Sequence, residues 1–137
     1  KKNYIKKIYD DAKIENKLYS FDLDLYKIYN EVDLAITRSG ASTISELVHF
    51  SIPFIAIPLP SAKDNHQYYN AKEYYNNNLC WILRQSEYEE HKFKDFVLDI
   101  IKNPKNYFEK RNNMVKSNHL STWKKLNQNI LEFISEN

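Results

Sequence analysis

The stretch Val32-Asp-Leu-Ala-Ile-Thr37, continued by Arg-Ser-Gly40 and then Ala-Ser-Thr-Ile-Ser-Glu46, decides the fold. Its first six residues form a short, mostly apolar run of the kind that becomes a buried parallel strand. The residues after Gly40 place apolar side chains at helical spacing and include a Thr43-x-x-Glu46 capping-box pattern, which predicts a helix over Ser42–Phe50. A strand that leads directly into a helix is the repeating unit of an α/β domain.

The same alternation continues on both sides of this unit. Short strands are predicted at Lys17–Phe21, Ile52–Pro58 and Leu79–Leu83. The remaining helices are predicted over Tyr4–Ala12, Leu23–Asn30, Gln67–Asn76, Glu87–Asn103, Pro104–Ser117 and Ser121–Ile134. We therefore expect one α/β domain over residues 1–137, with a Rossmann-like parallel sheet and helices on both of its faces. Such domains usually open with a strand, so an N-terminal strand is expected to be missing.

Composition excludes several kinds of binding site and structural feature. Gly40 is the sole glycine among 137 residues, which excludes a Gly-x-Gly-x-x-Gly dinucleotide loop and a Walker A loop. The net charge of +2 gives no strong case for a nucleic-acid partner. Cys80 has no second cysteine with which to form a disulfide, and no metal-ligand spacing includes it. The longest nearly uncharged stretch, Phe50–Ala62, is too short to span a bilayer as a helix.

The turn around Gly40 is a candidate anion site. In parallel sheets, ligands bind where strand-to-helix loops converge at the carboxyl ends of the strands. The unpaired N–H groups and the dipole of a helix N-terminus favour a phosphate there, and a glycine lets it approach the backbone. A tight turn with a serine cap explains the same residues. One turn on, Glu46 can accept two hydrogen bonds from a ribose diol, or can serve only in the capping box.

A second polar loop follows the strand Ile52–Pro58. Between Pro58 and Ala71 it gathers hydrogen-bonding side chains, namely Asp64, Asn65, His66, Gln67 and Asn70. This set suits the recognition of sugar hydroxyls, although polar loops also simply cap helices.

Two further groups of residues offer weaker alternatives. Of the four histidines only His66 lies near the candidate ligand, and we expect it to form hydrogen bonds rather than to act as a base. His49, His91 and His119 are expected to be solvated or at a helix end. The aromatic and basic stretch Tyr107–Trp123 suits RNA or a membrane surface, but is more commonly a solvated helix face with core aromatics.

Three of these stretches together, Asp33–Glu46, Ile52–Pro58 and Asp64–Ala71, closely resemble the C-terminal domain of the MurG family. These bacterial enzymes transfer N-acetylglucosamine from UDP-N-acetylglucosamine to lipid I, forming lipid II of peptidoglycan. The resemblance implies the C-terminal half of a GT-B fold and an inverting, metal-independent reaction without cofactors. It also implies a peripheral position on the cytoplasmic face of the plasma membrane. The acceptor domain and the general base are expected to lie outside this chain.

The resemblance also assigns roles to individual residues. Phe21 would lie against the uracil, and the backbone of Asp22 would pair with the base edge. At the diphosphate, Arg38 and Ser39 would lead into a helix start formed by Gly40, Ala41, Ser42 and Thr43, and Glu46 would hold the ribose. His66 and Gln67 would contact the sugar, and Asn70 would support their loop. Two alternatives stay open: a GT-B transferase for another UDP-sugar, and a non-catalytic module that binds a nucleotide sugar.

Overall fold

The computed structural model describes residues 2–19, 25–87 and 89–120. The chain divides into two compact units, residues 1–30 and 31–137, which are described separately. The single domain expected over residues 1–137 stays a prediction. None of the described helices is both long and apolar enough to cross a bilayer.

The first unit contains two helices, α1 (Lys2–Asp11) and α2 (Leu25–Tyr29). Helix α1 is followed by a residue in the left-handed conformation, Lys13 (φ 54°). This conformation lets the amide of Ile14 donate to the carbonyl of Tyr9 at 2.9 Å. Residues 17–19 form no strand, so that part of the predicted strand Lys17–Phe21 is wrong. Its last two residues lie outside the described part of the chain.

The second unit is built on a parallel sheet in the order β1-β2-β3, with β1 at Ala35–Thr37, β2 at Phe54–Ala56 and β3 at Cys80–Ile82. Each strand lies within a predicted apolar run but is only three residues long. In register, Ile36 pairs with Ile55, and Ile55 pairs with Trp81. The expected α/β architecture with a parallel sheet is confirmed.

Four helices accompany this sheet. They are α3 (Ala41–His49), α4 (His66–Asn76), α5 (Glu90–Lys102) and α6 (Pro104–Leu120). Helix α4 contacts β3, while α6 contacts both α3 and α5. Pro104 begins α6, as its position in the sequence predicted. The predicted helix Ser121–Ile134 lies outside the described residues.

The core is centred on β2, whose three residues have no exposed surface. On one side Ile55 packs with Trp81 of β3 and Ile100 of α5. A strand that is buried on both faces needs apolar residues at every position, which is why the run around it shows no polar alternation.

Two helices of the second unit are followed by a residue in the left-handed conformation, as α1 is. Ser51 after α3 and Asn78 after α4 have φ of 55°, and the next amide in each case returns to a carbonyl of the last helical turn. Asn118 of α6 strengthens the first of these ends. Its side-chain amide donates to the carbonyls of Val48 and His49 at 2.8 and 3.0 Å.

Lys110 corrects the expectation that the cations of the C-terminal region are solvated. Its residue surface is only 4% exposed, and its Nζ donates to Asn78 Oδ1 at 2.6 Å and lies 4.7 Å from the Trp81 ring centroid. Burial lowers the pKa of Lys110, while its neighbours Cys80 and Glu109 act in the opposite direction and raise it. The neighbouring Cys80 is free and buried, and burial raises the pKa of its thiol to about 12. Cys80 is therefore a core residue and not a reactive thiol.

The paired positions Ile36 and Ile55 provide a matched test of the core. We expect Ile55→Ala to lower the free energy of unfolding by about 2–5 kcal/mol, because it opens a cavity beside Trp81 and Ile100. Ile36 occupies the same register but is 52% exposed, so Ile36→Ala should cost less than about 1 kcal/mol. Urea unfolding of both variants measures the difference, and equal losses would contradict this account of the core.

Candidate ligand site at the carboxyl ends of the strands

The first part of the site is the N-terminus of α3. The helix begins at Ala41, directly after Gly40, and its first backbone bond runs from the amide of Ile44 to the carbonyl of Gly40 at 3.0 Å. The amides of Ala41, Ser42 and Thr43 therefore have no partner inside the helix. No side chain within the described part of the chain caps this end. Three backbone donors and the positive end of the helix dipole are thus available to an anion.

The predicted capping box is wrong. Thr43 is the third residue of α3, whereas a capping-box threonine must stand just before the helix. The alternative of a serine cap fails for a similar reason, since Ser42 is already helical and Gly40 is the N-cap residue. The helix starts one residue earlier than the sequence pattern predicted.

The backbone conformation at position 40 does not require a glycine. Its φ is −68° and its ψ is 137°, values that any residue adopts. A Cβ placed there would lie 3.8 Å from Thr43 Oγ1, an ordinary van der Waals contact. Neither backbone strain nor packing within the described residues requires a glycine here, so the missing side chain leaves room for something outside the protein.

Two side chains of α4 form hydrogen bonds with the turn around Ser39 and Gly40. Gln67 Oε1 accepts hydrogen bonds from the amide of Ser39 at 3.3 Å and from the amide of Leu59 at 3.0 Å. Asn70 Nδ2 donates to the carbonyl of Ser39 at 3.3 Å. Because both partners of Gln67 are N–H groups, the amide oxygen must face them, and Gln67 Nε2 remains as a donor.

Ser39 lies at the centre of these contacts. It has no exposed surface, and its Oγ has no hydrogen-bond partner among the described residues. A buried hydroxyl without a protein partner is uncommon in proteins.

Arg38 faces protein atoms instead of an open site. Its Nη1 donates to Gln85 Oε1 at 2.9 Å and lies 3.3 and 3.4 Å from the carbonyls of Ile57 and Pro58. The guanidinium thus joins the end of β2 to the segment after β3. Gln85 was missed by sequence reasoning, since nothing in its local pattern indicates a partner 47 residues away.

The structure brings Ser39, Gln67 and Asn70 into direct contact, whereas the roles predicted for them at a ligand stay predictions. Glu46 is exposed on the second turn of α3. His66 is also exposed, and its Nδ1 lies 2.8 Å from the carbonyl of Lys63, which orients the ring. Phe21 and Asp22, predicted at the base, lie outside the described residues.

The other described histidines lie elsewhere on the molecule. His49 is exposed at the C-terminus of α3, with its ring edge-on to Phe50 at 5.3 Å between centroids. His91 is exposed and lies 3.3 Å from a carboxylate oxygen of Glu89. Within residues 2–19, 25–87 and 89–120, no three His, Cys, Asp or Glu side chains are grouped so as to hold a metal ion.

Comparisons with known proteins agree with the α/β fold described above. Residues 1–130 match the family model of the glycosyltransferase family 28 C-terminal domain. The crystal structure of Acinetobacter baumannii MurG is similar over 86% of this chain, with a TM-score of 0.72 and 27% identity, and the match covers 33% of that protein.

Two curated relatives carry the name UDP-N-acetylglucosamine--N-acetylmuramyl-(pentapeptide) pyrophosphoryl-undecaprenol N-acetylglucosamine transferase. The one from Pelagibacter ubique is 42% identical over 132 residues, which is 96% of this chain and 37% of the relative. The one from Rickettsia massiliae is 48% identical over 101 residues, 74% of this chain and 27% of the relative. The chain thus spans about a third of the length of such relatives. It belongs to the glycosyltransferase family 28 C-terminal domains, in agreement with the resemblance of its motifs to the MurG family.

Proposed function

We propose that this chain is the donor-binding part of an inverting N-acetylglucosaminyltransferase of the MurG type. Its substrate would be UDP-N-acetylglucosamine, and the acceptor would be lipid I, bound with the help of a domain outside this chain. The observation that carries the proposal is the α3 N-terminus, where three unpaired amides follow a glycine that neither conformation nor packing requires. The proposed enzyme works as a peripheral protein on the cytoplasmic face of the membrane.

The arrangement suggests how the chain assists the reaction. The 4-hydroxyl of the acceptor's muramoyl sugar attacks the anomeric carbon of the donor, the bond to the diphosphate breaks, and UDP leaves. Negative charge grows on the diphosphate as this bond breaks. Amides of Ala41, Ser42 and Thr43 that already point at the diphosphate stabilise that charge without reorganising. No residue of this chain need exchange a proton with the substrates.

The sugar end of the donor is assigned to the first turn of α4. Gln67 Oε1 is held by two backbone amides, so only its Nε2 can reach a ligand, as a donor to a hydroxyl or acetamido oxygen. His66 is exposed beside it and has one ring nitrogen left for the same task. The ribose is assigned to Glu46, whose exposed carboxylate lies on the same helix as the phosphate-binding amides.

Gly40→Ala tests the phosphate assignment. We expect the variant to keep its free energy of unfolding within about 1 kcal/mol, because the added methyl meets only Thr43 Oγ1 at 3.8 Å. Its affinity for UDP should fall by about tenfold or more, since the methyl occupies the approach to the amides. Calorimetric titration with UDP measures the affinity. An unchanged affinity in a folded variant would remove the phosphate from this turn.

Glu46→Ala tests the ribose assignment. The loss of two hydrogen bonds to a carboxylate should weaken UDP-N-acetylglucosamine binding by about 1–3 kcal/mol, or roughly fivefold to 150-fold. Glu73→Ala removes another exposed carboxylate, on α4, and serves as the control, with no expected effect. The dissociation constants of both variants decide the matter, and equal affinities would count against a ribose contact at Glu46.

Gln67→Glu separates the two halves of the Gln67 amide. The carboxylate still accepts from the amides of Ser39 and Leu59, so the loops should stay joined, but the Nε2 donor is lost. We expect UDP-N-acetylglucosamine to lose about fivefold or more of its affinity relative to UDP, as one polar contact to the sugar disappears. UDP measured on the same variant corrects for the added charge. A constant ratio of the two affinities would exclude a sugar contact by Gln67.

A further inference from the structure

A cavity of about 380 Å³ lies beside the proposed donor site and has no role in it so far. It is formed where β2 and β3 end, and its lining includes Pro58, Leu59, Pro60, Tyr68, Arg84 and Gln85. The prolines and the tyrosine provide rigid apolar walls. Arg84 is the cation in this lining, so the cavity combines an apolar body with one positive group.

The guanidinium of Arg84 lies against an aromatic ring. Its central carbon is 4.5 Å from the centroid of the Tyr68 ring, a distance typical of cation–π stacking. Among the described residues, no carboxylate lies within 4.0 Å of it. A hydrogen bond with the Tyr68 side chain, and to a lesser degree the charge of Glu87, raises the pKa of Arg84. A stacked arginine that forms no ion pair within the described part of the chain suits a carboxylate or phosphate, which it can bind through two hydrogen bonds.

Two of the lining residues connect this cavity with the donor site. The amide of Leu59 donates to Gln67 Oε1 at 3.0 Å, and Gln85 Oε1 accepts from Arg38 Nη1 at 2.9 Å. Gln67 also holds the amide of Ser39, next to Gly40. A ligand in the cavity would therefore lie next to Leu59, whose amide holds the Gln67 side chain that we propose contacts the donor sugar.

We infer that this cavity receives an anionic group of the second substrate, a carboxylate or a phosphate, which Arg84 binds while the tyrosine and proline walls contact the adjoining part of the molecule. The inference rests on the proposed function, in which an acceptor must come close to the donor sugar. The acceptor named for the curated relatives has both kinds of anion, a pyrophosphoryl group and a pentapeptide.

Nuclear magnetic resonance of the chain, with UDP added to saturate the donor site, tests this inference. Inorganic pyrophosphate is titrated in one arm and an acetylated dipeptide with a free carboxylate in the other. We expect one of the two probes to shift the Nε–Hε resonance of Arg84 in a saturable way, and the responding arm identifies the anion. Arg84→Met lacks this resonance, so its binding is followed through the backbone amide of Gln85 in the cavity lining, and it should be weaker by tenfold or more.

Lys72→Met is the matched control. Lys72 also approaches the Tyr68 ring, with its Nζ 6.0 Å from the centroid, but it does not line the cavity. The control should bind the probe within twofold of the unmodified chain. The inference is overturned if neither probe gives a saturable shift at Arg84, or if both variants lose affinity equally, which would indicate general ionic attraction. Failure of UDP itself to bind would count against the proposed function and would leave the probe titrations interpretable.

Discussion

The site depends on one constraint, which is that the backbone leaving the buried strand β2 must find hydrogen-bond partners. Residues 54–56 have no exposed surface, and the backbone groups just beyond them, where the chain returns to the surface at Leu59, are paired with side chains. Arg38 bonds to the carbonyls of Ile57 and Pro58, and Gln67 bonds to the amide of Leu59. The side chains that complete the sheet edge are thus the ones that shape the candidate site, which links the stability of the core with ligand binding.

Sequence reasoning succeeded where the signal was local. Buried parallel strands leave apolar runs such as Ile52–Pro58, and Pro104 begins α6 as expected. It failed where the deciding contact is distant or where two local patterns compete. The capping box at Thr43 was displaced because the helix begins at Ala41. The burial of Lys110 follows from Asn78 and Trp81, which lie about thirty residues earlier, and the local charge pattern contained no sign of it.

The use of glycine in this chain is the reverse of the ordinary one. Five described non-glycine residues, Lys13, Ser51, Asp64, Asn65 and Asn78, adopt positive φ. The glycine, in contrast, has φ of −68°. Each of these five positions costs about 1 kcal/mol that a glycine would avoid, somewhat less for asparagine and aspartate. Gly40 is placed where space is needed, while the turns tolerate strain, so stability and ligand access make separate demands on the composition.

The contact of Asn118 with the end of α3 has a consequence for how the site is inherited. Helix α3 carries at one end the amides that we propose bind phosphate, and its other end is held by α6 through two carbonyls that accept from a single side chain. The direction of the helix axis, and with it the aim of the amides, is therefore set partly by a residue about seventy positions later in the chain. For the proposed site, substitution of Asn118 among descendants of this protein would alter nucleotide recognition without any change in the residues proposed to touch the nucleotide.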